Sequence, residues 1–271
     1  MTNYDASALN IDVSRPSQAR VWNHLLRGTD NFPVDRAAGD RYAASHPLLV
    51  SMVRTTRSFL TRAVRHLAGE AGMRQFLDVG SGLPTAGNTH EIAQRVAPDS
   101  RVVYADNCPD VVRFSQVLLT STPEGATAFV ESDLRAPESV LAAAARTLDL
   151  HRPVALILGG ILGHVPAYEE ACDIVGRLLA ALPAGSYLLT QDVTDTDPAW
   201  CAIQAGRNVT GPLPYHLRSP ERIARYFTGL DLVEPGVVPL PHWRPGDDSG
   251  AAGAVAPDSP LHIVGGVGRK P

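Results

Sequence analysis

The spacing of apolar and polar positions changes near residue 75. Before it the period is helical: Val21, Trp22, Leu25 and Leu26 recur at three and four residues. HPLLVSMVRTTRSFLTRAVRHLA continues as a long amphipathic helix opened by Pro47, and the helical pattern runs from Pro16 to about Ala71. RGTDNFPVDR, between the two apolar stripes, holds glycine, proline and polar groups and reads as a turn. Residues 1–14 form a polar lead-in.

Beyond residue 75 short apolar runs alternate with helical patterns. QFLDV, RVVYAD, TAFVES, PVALILG and SYLLTQ are rich in β-branched or aromatic residues, as strands are. HEIAQRVA, DVVRFSQVLL, PESVLAAAARTL and YEEACDIVGRLLAAL follow the first four with helical spacing. Such alternation implies right-handed crossovers and a parallel sheet covered on both faces. SPERIARYF adds a helix capped by Ser219 with Pro220 in its first position. LVEPGVVPL and LHIVGGVG are two late strand candidates, and PHWRPGDDSGAAGAVAPDSP between them reads as a surface excursion. The expected class is α/β with a doubly wound sheet. Residues 1–74 form an N-terminal helical segment and residues 75–271 the core.

Composition narrows the function classes. At 271 residues and 44% hydrophobic, the chain can bury a large core. A net charge of -4 offers no field for nucleic acid or anionic lipid. Arg54, Arg57, Arg62 and Arg65 form a basic stripe on the long helix, for which a solvated face is favoured over an RNA contact. Trp22, Trp200 and Trp243 read as core or rim residues. No apolar run reaches the ~18 residues of a membrane span, and the first residues lack a signal-peptide pattern. Cys108, Cys172 and Cys201 are too widely spaced for a disulfide framework or a zinc site. A cytoplasmic protein without a metal is the expectation. Lys270 is the sole lysine, which points to a GC-rich genome.

Chemistry gathers after the first strand, in FLDVGSGLPTAGNTH. Gly80 and Gly82 stand where strand order reverses in such a sheet and where ligands bind. A G-x-G-x-x-G loop for a dinucleotide would need glycine where Thr85 stands. Asp78, two residues before Gly80, would repel a pyrophosphate but attract a cationic ligand such as S-adenosylmethionine. Asp106 ends the second strand, in place to accept from ribose hydroxyls, and Asp133 follows the third, in place to accept from an adenine amino group. Any one of these acids alone could be a mere turn former. The three together at successive strand ends favour a cofactor site.

On PSQARVWNHLLRGTDNFPVDR, RQFLDVGSGLPTAGNTHEIAQ, VVYADNCPDVV, RPVALILGGILGHVP and VGGVGRKP, the chain resembles the actinobacterial S-adenosylmethionine-dependent methyltransferase-like family. The resemblance covers almost the whole chain. It implies the Rossmann-like class I methyltransferase fold, a seven-stranded, mostly parallel sheet of order 3-2-1-4-5-7-6 with strand 7 antiparallel. The cofactor set it implies is Asp78, Gly80, Gly82, Pro84, Asp106, Asn107, Asp133 and Leu134. The resemblance supplies no substrate; a small-molecule methyl acceptor is the expected partner, with no membrane and with nucleic acid disfavoured by the composition. Pro84 stands where methyltransferases usually have a third glycine and has no N–H, so the methionine carboxylate loses one donor. Thr85, Asn88 or Thr89 could replace it. The asparagine–proline–proline–tyrosine signature is absent after strand four, where GGILGHVP stands, so amino-group methylation through it is doubtful.

His164, in that GGILGHVP loop, is the candidate general base, or else a histidine bonded only to the loop backbone. Asp192, ending strand five, is a second candidate or a turn cap. Asp30, Asn31 and Phe32 form either a lid over the cofactor or a structural turn, and Arg20 could pair with a carboxylate. A methyltransferase acting on a small molecule leads. A cofactor-binding regulatory protein without methylation activity is the alternative, and an NAD-dependent oxidoreductase comes third.

Overall fold

A computed structural model describes residues 11–85, 87–118, 120–210, 213–245 and 261–271. Most of the lead-in and residues 246–260 of the expected surface excursion lie outside the described residues.

Three helices precede the sheet: α1 (Gln18–Leu25), α2 (Pro33–Ser45) and α3 (Leu49–Gly69). Pro47 lies in the turn before α3 and does not open it. The second half of RGTDNFPVDR is helical: Pro33 starts α2, and Asp35 accepts the Phe32 N–H at 2.9 Å, closing the helix entrance.

The alternating region gives β1 (Gln75–Val79), α4 (Thr89–Val96), β2 (Arg101–Asp106), α5 (Pro109–Leu118) and β3 (Ala126–Glu131). It continues with α6 (Pro137–Ala144), β4 (Ala155–Gly159), a 3-10 turn at Leu162–His164, α7 (Tyr168–Ala180) and β5 (Tyr187–Val193). Strand and helix follow the sequence pattern closely here, because β1, β2, β4 and β5 are largely buried, the edge strand β3 is half-buried, and the helices pack apolar residues against them. One helix escaped that pattern: α8, Pro198–Thr210, whose PAWCAIQAGRNVT has few large apolar residues. After it come α9 (Pro220–Ala224), β6 (Asp231–Leu232), β7 (Val238–Pro239) and β8 (Ile263–Arg269). Ser219 caps α9 as expected, its side chain accepting the Arg222 N–H. LVEPGVVPL is not one strand; its PG turn separates β6 from β7.

The sheet order is β3-β2-β1-β4-β5-β8-β6, with β7 also pairing β8. Strands β1 to β5 are parallel, and β8 runs antiparallel to β5. This is the expected methyltransferase order, with β8 in the seventh strand's seat and the sixth strand divided into β6 and β7. Order reverses between β1 and β4, which places a crevice beyond their carboxyl ends.

Period-two alternation along the strands builds a core on each face. Phe76 and Ile157 join Phe59, Val64 and Leu67 of α3 on one side. Leu77, Leu156 and Leu158 meet Val140, Ile174 and Leu178 of α6 and α7 on the other. Each fully buried side chain of this size contributes about 1.5–3 kcal/mol. The strand ends around the crevice are therefore rigidly placed.

Candidate functional site

A cavity of about 320 Å³ opens at the carboxyl ends of β1, β4 and β5. A smaller one of about 80 Å³ shares Gly80, Asp106 and Asn107 with it and reaches Asp133 and Leu134. Of the residues expected to hold a cofactor, Asp78, Gly80, Gly82, Asp106 and Asn107 line the larger cavity. Pro84 lines neither, while its neighbours Leu83 and Thr85 line the larger.

The turn after β1 needs its glycines. Gly80 has a φ of +73°, and a Cβ there would lie 2.4 Å from the Ile161 side chain across the crevice. Asp78 is 7% exposed and accepts the Thr89 hydroxyl at 2.7 Å. Burial pushes its pKa up to about 6; the Thr89 bond and the Arg57 charge oppose that rise. Asp106 is held by the backbone on both oxygens: Gly82 N–H donates at 2.9 Å to one and Cys108 N–H at 2.9 Å to the other. Burial raises its pKa above the ordinary value, against the pull of these N–H groups. Asp133 accepts Asn107 Nδ2 at 3.1 Å and the Arg135 N–H at 2.8 Å.

Arg57 corrects the sequence reading of the basic stripe. It lines the cavity, donates to Thr85 Oγ1 at 2.6 Å and to Asn88 Oδ1 at 3.2 Å, and its Nε is buried without a hydrogen-bond partner. Burial lowers its pKa, and Asp78 and Glu91 are among the charges that support it. Arg62 is not solvated either: it donates to the carbonyls of Trp243 and Leu240 at 2.9 and 2.7 Å. The signal for Arg57 lay in α3's own period. It falls on the stripe Leu49, Val53, Leu60 and Val64, where a charge has no place unless it has a task. Asn88 caps α4 with Glu91, and Thr89 is engaged by Asp78, so neither is a free donor.

His164 lines both cavities, and its Nδ1 lies 2.7 Å from the Pro214 carbonyl. Only an N–H can face a carbonyl, so Nδ1 carries the proton and Nε2 keeps a lone pair in the neutral ring. Burial lowers its pKa and favours that neutral form. Its ring meets Tyr215 edge-on at 5.0 Å. Asp192 is 1% exposed and lies behind the cavity wall, accepting the hydroxyl of Tyr215, which does line the cavity. Burial pushes Asp192 up to about 6, opposed first by the Tyr215 bond. Gly163 makes room for that ring, since a Cβ there would meet Tyr215 at 2.4 Å.

The N-terminal turn does not line the cavity. Arg20 is buried and pairs with Asp35 at 2.8 Å and with Asp110 of α5. Its carboxylate partners are thus the protein's own. Asn31 donates to Asn23 and to the Gly28 carbonyl at 2.9 and 2.8 Å. Burial raises the pKa of Asp30. Phe32 lies beside Arg20 and packs with Leu83, Val111 and Phe114. Trp22 of α1 and Leu26 just after it line the cavity in place of the turn. Sequence reasoning also missed Gln191 and Tyr215, cavity residues in no recognisable motif.

Among the described residues no helix is long and apolar enough to cross a membrane, and no group of three or more His, Cys, Asp or Glu could hold a metal ion. Cys108, Cys172 and Cys201 are free thiols.

Comparison with known proteins gives this geometry a context. A DUF574 family protein from Streptomyces avermitilis is 43% identical, with a TM-score of 0.88 over 96% of this chain and 99% of that one. A candidate methyltransferase from Thermobifida fusca is 39% identical, with a TM-score of 0.87 over 99% of each chain. Human N-acetylserotonin methyltransferase, in complex with S-adenosylmethionine, shares the fold at 15% identity, with a TM-score of 0.50 over 93% of this chain and 66% of that one. No curated protein matches. The family model described as S-adenosyl methyltransferase matches residues 5–271, so the sulfonium cofactor prevails over the nicotinamide one, and the chain belongs to the S-adenosyl methyltransferase family.

Proposed function

We propose that this protein transfers a methyl group from S-adenosylmethionine to a small-molecule acceptor held in the larger cavity. The observation that carries this reading is the uneven lining of one continuous crevice. Asp78 and Asp106 stand along the β1–β2 edge, with Asp133 beyond β3 and Arg57 of α3, whose Nε has no hydrogen-bond partner, while Trp22, Tyr42, Leu49, Val53 and Trp200 bring aromatic and apolar surface from the helices. The residues present fit the cofactor. Asp78 would hold the ammonium of the methionine end, and Arg57 its carboxylate, aided by Thr85. Asp106 would accept from the ribose hydroxyls, and Asp133 and Leu134 would border the adenine.

When bound, the cofactor supplies an electrophilic methyl group on sulfur. The chain's own part is to orient the acceptor in line with it and to exclude water. Trp22 of α1 and Leu26 after it line the cavity, which supports the part of a cover over the core for the N-terminal helices. His164, neutral and with Nε2 free, would take the proton that the acceptor gives up.

Calorimetry with S-adenosylmethionine and S-adenosylhomocysteine tests cofactor binding, and folded protein that bound neither would sink the reading. Release of S-adenosylhomocysteine on incubation with a metabolite extract tests turnover. Cofactor binding with no release from any extract would favour the regulatory alternative, to which the missing signature after β4 also points.

A further inference from the structure

The α8 wall of the cavity holds a cation that has no anionic partner among the described residues. Trp200, Gln204 and Arg207 recur at four and three residues on α8, which puts them on one stripe, and all three line the cavity. Tyr42 of α2 faces this stripe. Its ring lies at 6.0 Å from Trp200 and 16° from parallel, and the Arg207 Cζ sits 3.3 Å from its centroid. The Tyr42 hydroxyl donates to Gln204 Oε1 at 3.4 Å, and Gln204 Nε2 donates to Asn208 Oδ1 at 2.8 Å. Asn208 in turn bonds the backbone of Tyr215 through both ends of its amide. The stripe is thus fastened to α2 on one side and to the His164–Tyr215 corner on the other.

Arg207 itself is left over. It is half-buried, forms no ion pair among the described residues, and its Nε is buried without a hydrogen-bond partner. The Trp200 indole N–H is likewise buried without an acceptor. Burial lowers the pKa of Arg207, and the cavity it lines also includes the side chains of Trp22, Leu49 and Val53. The face of Tyr42 offsets part of this desolvation, but a ring quadrupole is a weak partner for a cation among apolar groups. Two unsatisfied donors on one wall ask for a ligand that accepts. A planar, bidentate guanidinium suits a carboxylate or a phosphate, and apolar surroundings favour the carboxylate, the less heavily charged of the two.

We propose that the methyl acceptor is a flat, largely apolar molecule bearing a carboxylate, which Arg207 pairs while Trp200 and Trp22 flank its body. This rests on the methyltransferase reading and names the acceptor class of that site. The carboxylate serves as the handle, so the methylated atom lies at the other end of the molecule, toward His164.

The test uses the full chain loaded with S-adenosylhomocysteine and two matched probes, 2-naphthoate and 2-naphthamide, in calorimetry. The expected result is naphthoate binding roughly tenfold or more tighter than the amide. Arg207→Met should remove that preference and leave the affinities for naphthamide and S-adenosylhomocysteine within about twofold. Arg207→Lys, which restores the charge without the fork, should recover part of it. Equal binding of acid and amide, a preference that survives Arg207→Met, or no binding of naphthoate to the loaded protein would each overturn the proposal. Failure of S-adenosylhomocysteine to load would instead strike the methyltransferase reading, and the acid-over-amide preference would then be scored on the unloaded protein.

Discussion

The Arg57 guanidinium on α3 donates to the Thr85 hydroxyl in the loop after β1 at 2.6 Å, across 28 residues of sequence. The pair stands beside Pro84, the position at which the loop has lost a backbone donor. With its Nε without a hydrogen-bond partner, Arg57 would supply from a helix the donor that the loop lacks, as proposed above. Arg57→Met should weaken S-adenosylhomocysteine binding by about 10- to 100-fold, the worth of a charged hydrogen bond. Binding of 5′-methylthioadenosine, which has no carboxylate, should change little. Calorimetry with both ligands reads the difference, and equal losses for the two would place Arg57 elsewhere.

Asp106 makes an unusual prediction about a conservative change. Both its oxygens accept backbone N–H groups, so an amide there must turn an NH₂ toward another donor. Asp106→Asn should therefore harm cofactor binding as much as Asp106→Ala, each by at least about tenfold. An Asn variant that binds like the parent would remove both the ribose role and the need for an acceptor at this turn.

The buried carboxylate of Asp78 should pull stability and binding in opposite directions. Its folded pKa is about 6, against an ordinary 3.8, so between these values the folded chain binds the extra proton. That contribution to stability is complete below about pH 4 and is lost as pH rises through about 6. Asp78→Asn, which mimics the protonated form, should gain stability over the parent as pH goes from 4.5 to 7.5, by on the order of 3 kcal/mol at most. Over the same range the parent should gain affinity for S-adenosylhomocysteine, whose ammonium needs the charge, and the variant should not. Thermal melts and calorimetry at each pH check the two signs.

His164→Gln should leave S-adenosylhomocysteine affinity unchanged and lower kcat by about 10²–10⁴-fold, once an acceptor is in hand. A kcat within a factor of about two would leave the histidine as a prop for the Pro214 carbonyl.

Gly163→Ala should disturb the corner at a distance. The new methyl would meet the Tyr215 ring at 2.4 Å, and that ring carries the contacts to Asp192 and His164. A loss of about 1–3 kcal/mol in denaturant melts is expected from such overpacking. An unchanged midpoint would show that the loop yields freely.

Much of this site is legible in the amino-acid sequence. The strands β1 to β5 announce themselves through β-branched runs, and the acids at their ends follow from register alone. Residues brought in from elsewhere in the chain are not legible in this way. Tyr42 and Gln204 touch across 162 residues, and nothing local to either hints at the other. Helix α8 hides because its cavity-facing stripe of Trp200, Gln204 and Arg207 holds one large apolar residue, and the partners of the other two are a ring and polar side chains. The turn at Asp30, Asn31 and Phe32 misled for the opposite reason. Its polar groups look like a ligand's partners, yet Asn31 is spent on Asn23 and Gly28, and Phe32 on packing.

The position of β8 bears on how the molecule is made. Residues 263–269 pair with β5 on one side and with β6 and β7 on the other, so a strand late in the chain takes an interior seat. As the polypeptide leaves the ribosome, the row from Tyr187 to Val193 must wait as a bare, sticky edge until that strand arrives. A nascent chain stalled in between would offer that edge to other chains, which makes translation pauses after β5 a hazard of aggregation.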